Sequence, residues 1–229
     1  ALPILDYILR VLKKNMVFGM TWGRAMHEFV EQLAKDERLR SLSFQNVKVV
    51  PFLGTPGAIQ SDSWNTTTYS NTLATKVGNL LHCASYNLSA PMYVEGTKEK
   101  ELIESIDEIA KVLHMAETAD IALIGIGSMQ DDSSIIKAEI RTKEEYKELV
   151  RKGAVGEIVG RIYDKNGQTV DEDLKRKMVG ISLDKIAKIP VRVGMSYGKD
   201  KIEAIKGAIA GGLVNVLVTD VPTAELLLK

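Results

Sequence analysis

Short apolar runs and helix-spaced apolar stripes alternate along most of the chain. Segments rich in apolar residues at 16–20, 47–53, 91–94, 121–126, 191–195 and 214–218 predict β-strands, and the continuous apolar run at 121–126 is typical of a strand buried on both faces. Helical patterns lie between them, at 4–12, 26–33, 72–81, 102–113, 143–152 and 202–209, with a closing helix near Pro222. This alternation predicts an α/β fold, a Rossmann-like, mostly parallel sheet with helices on both faces.

The segment at 157–183 departs from this alternation. Two extended pieces flank Asn166 and Gly167, a dipeptide that is typical of a hairpin turn. We therefore expect one domain over residues 1–229, with a small β-hairpin lobe inserted near 157–183.

The stretch V-F-G-M-T-W-G-R-A-M, at residues 17–26, packs a strand, a tight turn and a helix start into few residues. Gly19 and Gly23 allow close backbone approach, and Thr21 adds a hydroxyl. A turn of this kind exposes N–H groups at a helix N-terminus, where the dipole favours anions. An ordinary βα turn without a ligand is the alternative interpretation.

Two later strand ends carry similar turn chemistry, at residues 125–128 and 196–201. Ligands of open α/β sheets bind outside the carboxyl ends of the strands, so we expect these turns to meet at one site. Glycines, hydroxyls and the cations Arg24 and Lys201 suit a phosphorylated or polyhydroxylated ligand. Alternatively, Arg24 and Lys201 are surface residues at helix starts.

Glu157 and Asn65 are further candidates for polar contacts. A carboxylate at the start of the hairpin segment could accept hydrogen bonds from sugar hydroxyls, or it could be a solvated strand residue. Asn65 and Thr66 could contact a ligand above the second strand, or cap a helix. The three histidines lack metal-ligand spacing, and no phosphate-loop, dinucleotide or serine-hydrolase motif is present, so we predict no metal, no cofactor and no catalytic residue.

Composition and charge argue against nucleic-acid binding, membrane insertion and secretion. The 229 residues carry 30 basic and 30 acidic side chains, which gives no electrostatic footprint for nucleic acid. No apolar run is long enough to span a membrane, and no secretory signal is visible. Cys83 is the single cysteine, which fits a reducing cytosol. We therefore expect a cytoplasmic protein that binds neither DNA nor membrane through this chain.

Several motifs together carry a family resemblance that covers nearly the whole chain. The stretches G-A-V-G-E-I-V-G-R-I-Y-D-K-N-G-Q-T-V-D from Gly153 and V-G-I-S-L-D-K-I-A-K-I-P from Val179 resemble the C-terminal sugar-binding domain of SorC-type bacterial transcriptional regulators. That family also includes the deoxyribonucleoside and central glycolytic gene regulators. G-M-T-W-G-R, G-I-G-S, K-I-E-A-I-K-G-A and N-V-L-V-T-D occur here in the order that the family has them.

The resemblance implies a fold like that of glucosamine-6-phosphate deaminase and ribose-5-phosphate isomerase, with a sugar or sugar phosphate over the strand ends. By position it implies that Glu157 and Lys201 contact the sugar and a phosphate. Leu53 stands where the glycolytic regulator has a phosphate-binding arginine, which disfavours a bisphosphate. With the strand-end turns, the predicted effector-binding residues are Thr21, Trp22, Gly23, Arg24, Gly54, Thr55, Asn65, Gly125, Gly127, Ser128, Glu157 and Lys201.

These observations predict the effector-binding domain of a bacterial regulator of carbohydrate metabolism. We expect it to be a homo-oligomer, a dimer or tetramer, that reaches DNA only through an N-terminal helix-turn-helix, which relatives carry and which we expect to be absent here. A sugar-phosphate isomerase or deaminase of the same fold is the main alternative, since fold does not fix function. A purely structural oligomerisation module is another, and it would need no polar pocket.

Overall fold

Nine strands and eleven α-helices build the part of the chain that the computed structural model describes, namely residues 2–42, 44, 46–56, 66–131 and 133–229. The strands are β1 Val17–Met20, β2 Lys48–Pro51, β3 Ala84–Ser85, β4 Ile121–Gly125, β5 Gly127–Ser128, β6 Ala154–Ile158, β7 Arg161–Asp164, β8 Val191–Met195 and β9 Val216–Val218. The helices are α1 Leu2–Val11, α2 Arg24–Leu33, α3 Ser70–Leu80, α4 Thr97–Glu104, α5 Asp107–Glu117, α6 Ser134–Lys137, α7 Lys143–Arg151, α8 Glu172–Lys177, α9 Leu183–Ile186, α10 Ile202–Ala210 and α11 Val221–Leu227.

Six of the strands form one parallel sheet in the order β3-β2-β1-β4-β8-β9. The chain first builds outward from β1 to β3 and then returns to add β4 on the other side of β1. This reversal between β1 and β4 is the topological switch point, where the loops that follow the two strands diverge and leave a crevice. The predicted Rossmann-like fold is confirmed.

Two hydrophobic cores cover the two faces of this sheet. Along β4, Ile121 and Leu123 pack into one core and Ala122 and Ile124 into the other, and all four are fully buried. Successive residues of a strand point to opposite faces, so a continuous apolar run is what burial on both faces requires. The run at 121–126 is therefore apolar throughout because β4 is covered on both faces.

Gly19 in the middle of β1 makes room for a core side chain. A Cβ built at this position would lie 1.9 Å from the ring of Phe52, which follows β2. The glycine of the V-F-G-M run thus serves the packing of the sheet, and the turn of the motif begins after Met20.

A second sheet, β5-β6-β7, is small and antiparallel. Its hairpin turns at Val159 and Gly160, which both have positive φ, as a two-residue type I′ turn requires. Asn166 and Gly167 form the next turn, closed by the bond from Gly167 N to Asp164 O. The predicted hairpin segment exists, but its main turn lies seven residues earlier than the Asn-Gly signal indicated.

Two predicted elements are wrong. Residues 91–94 form only isolated bridges, Thr55 with Pro91 and Tyr93 with Met178, and the edge strand is Ala84–Ser85 instead. Pro91 has no N–H for a sheet ladder, which accounts for the difference.

The helix predicted over 102–113 is interrupted between α4 and α5. Ser105 Oγ donates to the carbonyl of Leu102 at the break, and Leu102 and Ile106 are exposed although the stripe predicted them to be buried. Ser side chains compete for backbone hydrogen bonds in this way. Among the described residues, no helix is both long and apolar enough to span a membrane.

Candidate functional site

A cavity of about 360 Å³ opens at the carboxyl ends of β1, β4 and β8, beside the switch point. We call it the strand-end cavity. Its walls come from the loop and helix after β1 (Trp22, Gly23, Arg24, Ala25, Glu28), the turn after β4 with α6 (Gly125, Ile126, Gly127, Ser134), the turn after β8 (Met195, Ser196, Tyr197, Gly198, Asp200, Lys201) and Glu157 of β6. The three turns that the sequence singled out thus meet at one site.

Thr21 fastens the two strand ends that border the cavity. Its Oγ1 accepts a hydrogen bond from Gly125 N at 3.0 Å, and its own backbone N donates to Leu123 O. The side chain is fully buried and is not among the residues that line the cavity. In this structure Thr21 therefore supports the cavity floor, whereas the sequence predicted it as an effector contact.

Two helices begin at the cavity. Gly23, with φ of 110°, precedes α2 without a side-chain cap, and Arg24 is the first residue of that helix. Lys201 precedes α10, again without a side-chain cap. The first N–H groups of a helix lack intrahelical partners, so the start of α2 offers donors and a positive dipole to an anion. At α10 a 3-10 turn, Lys199–Lys201, comes first, and the N–H groups of Lys201 and Ile202 already donate to Gly198 O and Lys199 O. The first N–H groups of this second helical segment are therefore those of Lys199 and Asp200. The Nζ atom of Lys201 donates to Ser128 Oγ at 3.0 Å, which links α10 to β5.

Glu157 is a buried carboxyl at the cavity wall, only 7% exposed. Its Oε2 accepts a hydrogen bond from Gly160 N in the hairpin turn at 3.0 Å. Burial raises the pKa of Glu157 to about 7, against the smaller opposing effects of the Gly160 bond and the Lys201 charge. Near neutral pH this group is therefore present both as a carboxyl and as a carboxylate, and it can donate or accept a hydrogen bond.

The hairpin that carries Glu157 is fixed to α10, which carries Lys201 at its start. Tyr163 of β7 donates from its hydroxyl to the carbonyl of Ala204 at 2.9 Å. A Cβ at Gly211 would lie 2.6 Å from the Cα of Gly167, so the end of α10 rests on the Asn-Gly turn backbone. These contacts hold Glu157 and Lys201 in a fixed relation across the cavity.

Seven of the twelve predicted effector-binding residues line the cavity: Trp22, Gly23, Arg24, Gly125, Gly127, Glu157 and Lys201. Ser128 lies behind this wall and is bound to Lys201. Gly54 and Thr55 do not line it: Gly54 N donates to Val179 O, and Thr55 Oγ1 accepts from the amide of Asn71. Asn65 lies outside the described residues. Whether these residues bind an effector stays a prediction.

The sequence analysis missed several polar lining residues, among them Glu28, Ser134, Tyr197 and Asp200. Tyr197 and Asp200 lie within the predicted third turn, and Glu28 is one helical turn beyond Arg24, so their position alone could have indicated them. Leu53 is fully buried in the core. In the described part of the chain, no group of three or more His, Cys, Asp or Glu side chains is placed to hold a metal ion.

Comparison with known proteins gives a consistent family. Residues 4–229 match a family model described as "Putative sugar-binding domain". The sorbitol operon regulator of Klebsiella pneumoniae is 30% identical over 96% of this chain and 67% of its own length. The transcriptional regulator LsrR of Escherichia coli K12 is 32% identical over 97% of this chain and 65% of its own.

Solved structures give the same result. Full-length SorC from Klebsiella pneumoniae superposes with a TM-score of 0.86 at 28% identity, covering 98% of this chain and 70% of that one. A probable sor operon regulator from Shigella flexneri also has a TM-score of 0.86, at 27% identity, covering 100% of this chain and 86% of that one. This chain spans about two thirds of the length of the curated relatives it matches. It belongs to the sugar-binding domain family of SorC-type transcriptional regulators.

Proposed function

We propose that the strand-end cavity binds a sugar phosphate as the effector of a bacterial regulator of carbohydrate metabolism. The observation that carries the proposal is the convergence of two cations, Arg24 and Lys201, in the first turns of two helical segments, on one cavity that also contains the buried carboxyl of Glu157. Helix N-termini and cations suit a phosphate, and a carboxyl group suits sugar hydroxyls.

The charge of the lining supports a ligand with one phosphate. Besides Arg24 and Lys201, the cavity presents the carboxylates of Glu28 and Asp200 together with Glu157. When Glu157 is protonated, the two cations and the two remaining carboxylates balance. With the side-chain charges balanced, the helix N–H groups must compensate each phosphate charge, and a second phosphate would add to that cost. Leu53 also supports a single phosphate, because it is a buried core residue and supplies no cation for a second one.

Effector binding would act on transcription through the rest of the regulator. We propose that the ligand has different affinities for two conformations of the domain, which biases a DNA-binding segment of a cytoplasmic oligomer. The named relatives are transcriptional regulators, which supports this role. The proposal includes no turnover of the sugar.

A thermal-shift panel of sugar phosphates and their unphosphorylated counterparts tests the proposal. A ligand at 100 times its dissociation constant stabilises a one-site protein by roughly 2.7 kcal/mol. We expect at least one sugar monophosphate to raise the melting temperature, and an incubation with it to leave it chemically unchanged. A broad panel at millimolar concentration that produces no shift would remove the basis of the proposal.

A further inference from the structure

Gly127 lies directly beneath the side chain of Glu157. The two residues are Cα partners in the antiparallel pairing of β5 and β6. A Cβ built on Gly127 would lie 2.5 Å from Oε1, 2.8 Å from Cγ and 3.0 Å from Cδ of Glu157, which are the three nearest atoms. The glutamate side chain therefore occupies the space that any other residue at 127 would need for its own side chain.

We propose that Gly127 is a positioning residue for the effector site: because it has no side chain, Glu157 can lie across β5 with its carboxyl at the cavity wall. One carboxyl oxygen is then held against Gly127, and the other is held by the N–H of Gly160. The importance of this arrangement for affinity rests on the proposed function. The arrangement itself does not, and it can be measured without an effector.

The backbone conformation of Gly127 explains why a substitution there would displace the Glu157 side chain and leave strand β5 in place. Gly127 is not among the residues with positive φ, so alanine fits its backbone. All three close atoms belong to one glutamate side chain, which can rotate away. Alanine at 127 should therefore leave the fold in place and push the Glu157 carboxyl off Gly160, toward the open cavity.

Gly156 provides a matched contrast in the same small sheet. A Cβ there would meet Tyr163 Oη at 2.5 Å and Ala204 Cβ at 2.7 Å, both part of the packed contact between the hairpin and α10. Alanine at 156 should damage that packing whatever residue stands at 157. Removal of the Glu157 side chain should therefore abolish the stability loss caused by alanine at 127 but not the loss caused by alanine at 156.

The first measurement follows the Gly160 amide by NMR during a pH titration of the effector-free domain. In the wild-type domain this amide should titrate with a midpoint near 7, because it donates to the Glu157 carboxyl. In Gly127→Ala we expect the response to vanish or its midpoint to fall by about one pH unit or more, since the carboxyl becomes hydrated. The charges of Lys201 and Tyr163 act on Glu157, and Arg24, Glu28 and Asp200 line the same cavity. All five groups are retained in this variant. An unchanged midpoint would overturn the proposal.

The second measurement is a double-mutant cycle on the melting temperature. Gly127→Ala should lower it in the wild-type background and leave it unchanged in Glu157→Ala, where the colliding atoms are gone. Gly156→Ala should lower it equally in both backgrounds. If Gly127→Ala does not fold, the double variant Gly127→Ala/Glu157→Ala should still fold. Equal losses in both backgrounds, or failure of the double variant to fold, would show that Gly127 does not act through Glu157.

Discussion

Lys201 donates from its Nζ to Ser128 Oγ across 3.0 Å, which joins the start of α10 to the short strand β5. The bond holds the ammonium group at the cavity wall, against strand β5. Strand β5 belongs to the same small sheet as Glu157 of β6. A lysine loses considerable side-chain entropy when it is held in one conformation, and a fixed partner lowers that loss at the moment of ligand binding. Under the proposed function, the serine therefore preorganises the lysine side chain for an anion.

Removing the Ser128 hydroxyl should weaken effector binding modestly. We expect Ser128→Ala to lower the affinity for a phosphorylated effector about fivefold, which corresponds to about 1 kcal/mol for one hydrogen bond. Calorimetric titration measures the change. Ser182→Ala is the matched control, because Ser182 caps α9 away from the cavity and its loss should cost stability without changing affinity. Equal affinity in Ser128→Ala and wild type would contradict the prediction.

The buried Glu157 should make stability fall as pH rises. Its folded pKa of about 7 lies above the ordinary value of 4.5, so the folded state binds the proton more tightly than the unfolded state. This contribution is fully present below about pH 4.5 and is lost as pH rises through 7, for a total of about 3 kcal/mol.

Glu157→Gln isolates this effect, since a neutral amide does not ionise. We expect the free energy of unfolding of the wild type, relative to that of the variant, to fall by about 3 kcal/mol between pH 4.5 and 8. Denaturant unfolding across this range measures it. Parallel pH profiles, or a relative rise for the wild type, would mean that Glu157 is ionised and well solvated in the folded state.

Arg161 at the start of β7 should be sensitive even to lysine. Its guanidinium is buried and donates to the backbone carbonyls of Lys175, Met178, Gly180 and Ile181. These bonds thereby attach α8 and the chain that follows it to the hairpin. Because a lysine ammonium cannot reach this many acceptors from one stem, some carbonyls would lose their donor.

We expect Arg161→Lys to lower the free energy of unfolding by about 3 kcal/mol, since hydrogen bonds to a charged group are worth about 1.5–3 kcal/mol each. Urea denaturation measures the loss. Arg151→Lys is the control, because Arg151 is an exposed residue of α7 and should change stability by less than about 0.5 kcal/mol. A loss below 1 kcal/mol for Arg161→Lys would show that the carbonyls find other partners at little cost.

The long, strongly patterned elements of this fold could be predicted from sequence. The apolar runs of β1 and β4 are buried on both faces, so burial and sequence pattern agree there. The predictions of secondary structure were wrong where the local sequence pattern and the tertiary contacts disagree. Residues 91–94 are apolar because they cover a core, but Pro91 prevents a regular ladder.

The site could be located from sequence, but the roles of its residues could not be fully assigned. Turns at three strand ends indicated where the cavity would form. No local pattern distinguishes Thr21, which faces the strand β4 below the cavity, from Trp22, which lines it. Nor does sequence reveal that Glu157 is buried, because its burial depends on β5, a two-residue strand that pairs only in the folded protein.

Calorimetric titration of the wild type and Lys201→Met tests the central claim most directly. Both proteins are titrated with the sugar phosphate that stabilises the wild type most in the panel, and with the same sugar without its phosphate. We expect Lys201→Met to lose about 10- to 150-fold in affinity for the phosphorylated ligand, equivalent to a charge-assisted hydrogen bond of about 1.5–3 kcal/mol. The unphosphorylated sugar should bind both proteins almost equally. Equal affinities of the two proteins for the phosphorylated ligand would contradict the assignment of the strand-end cavity as a phosphate site.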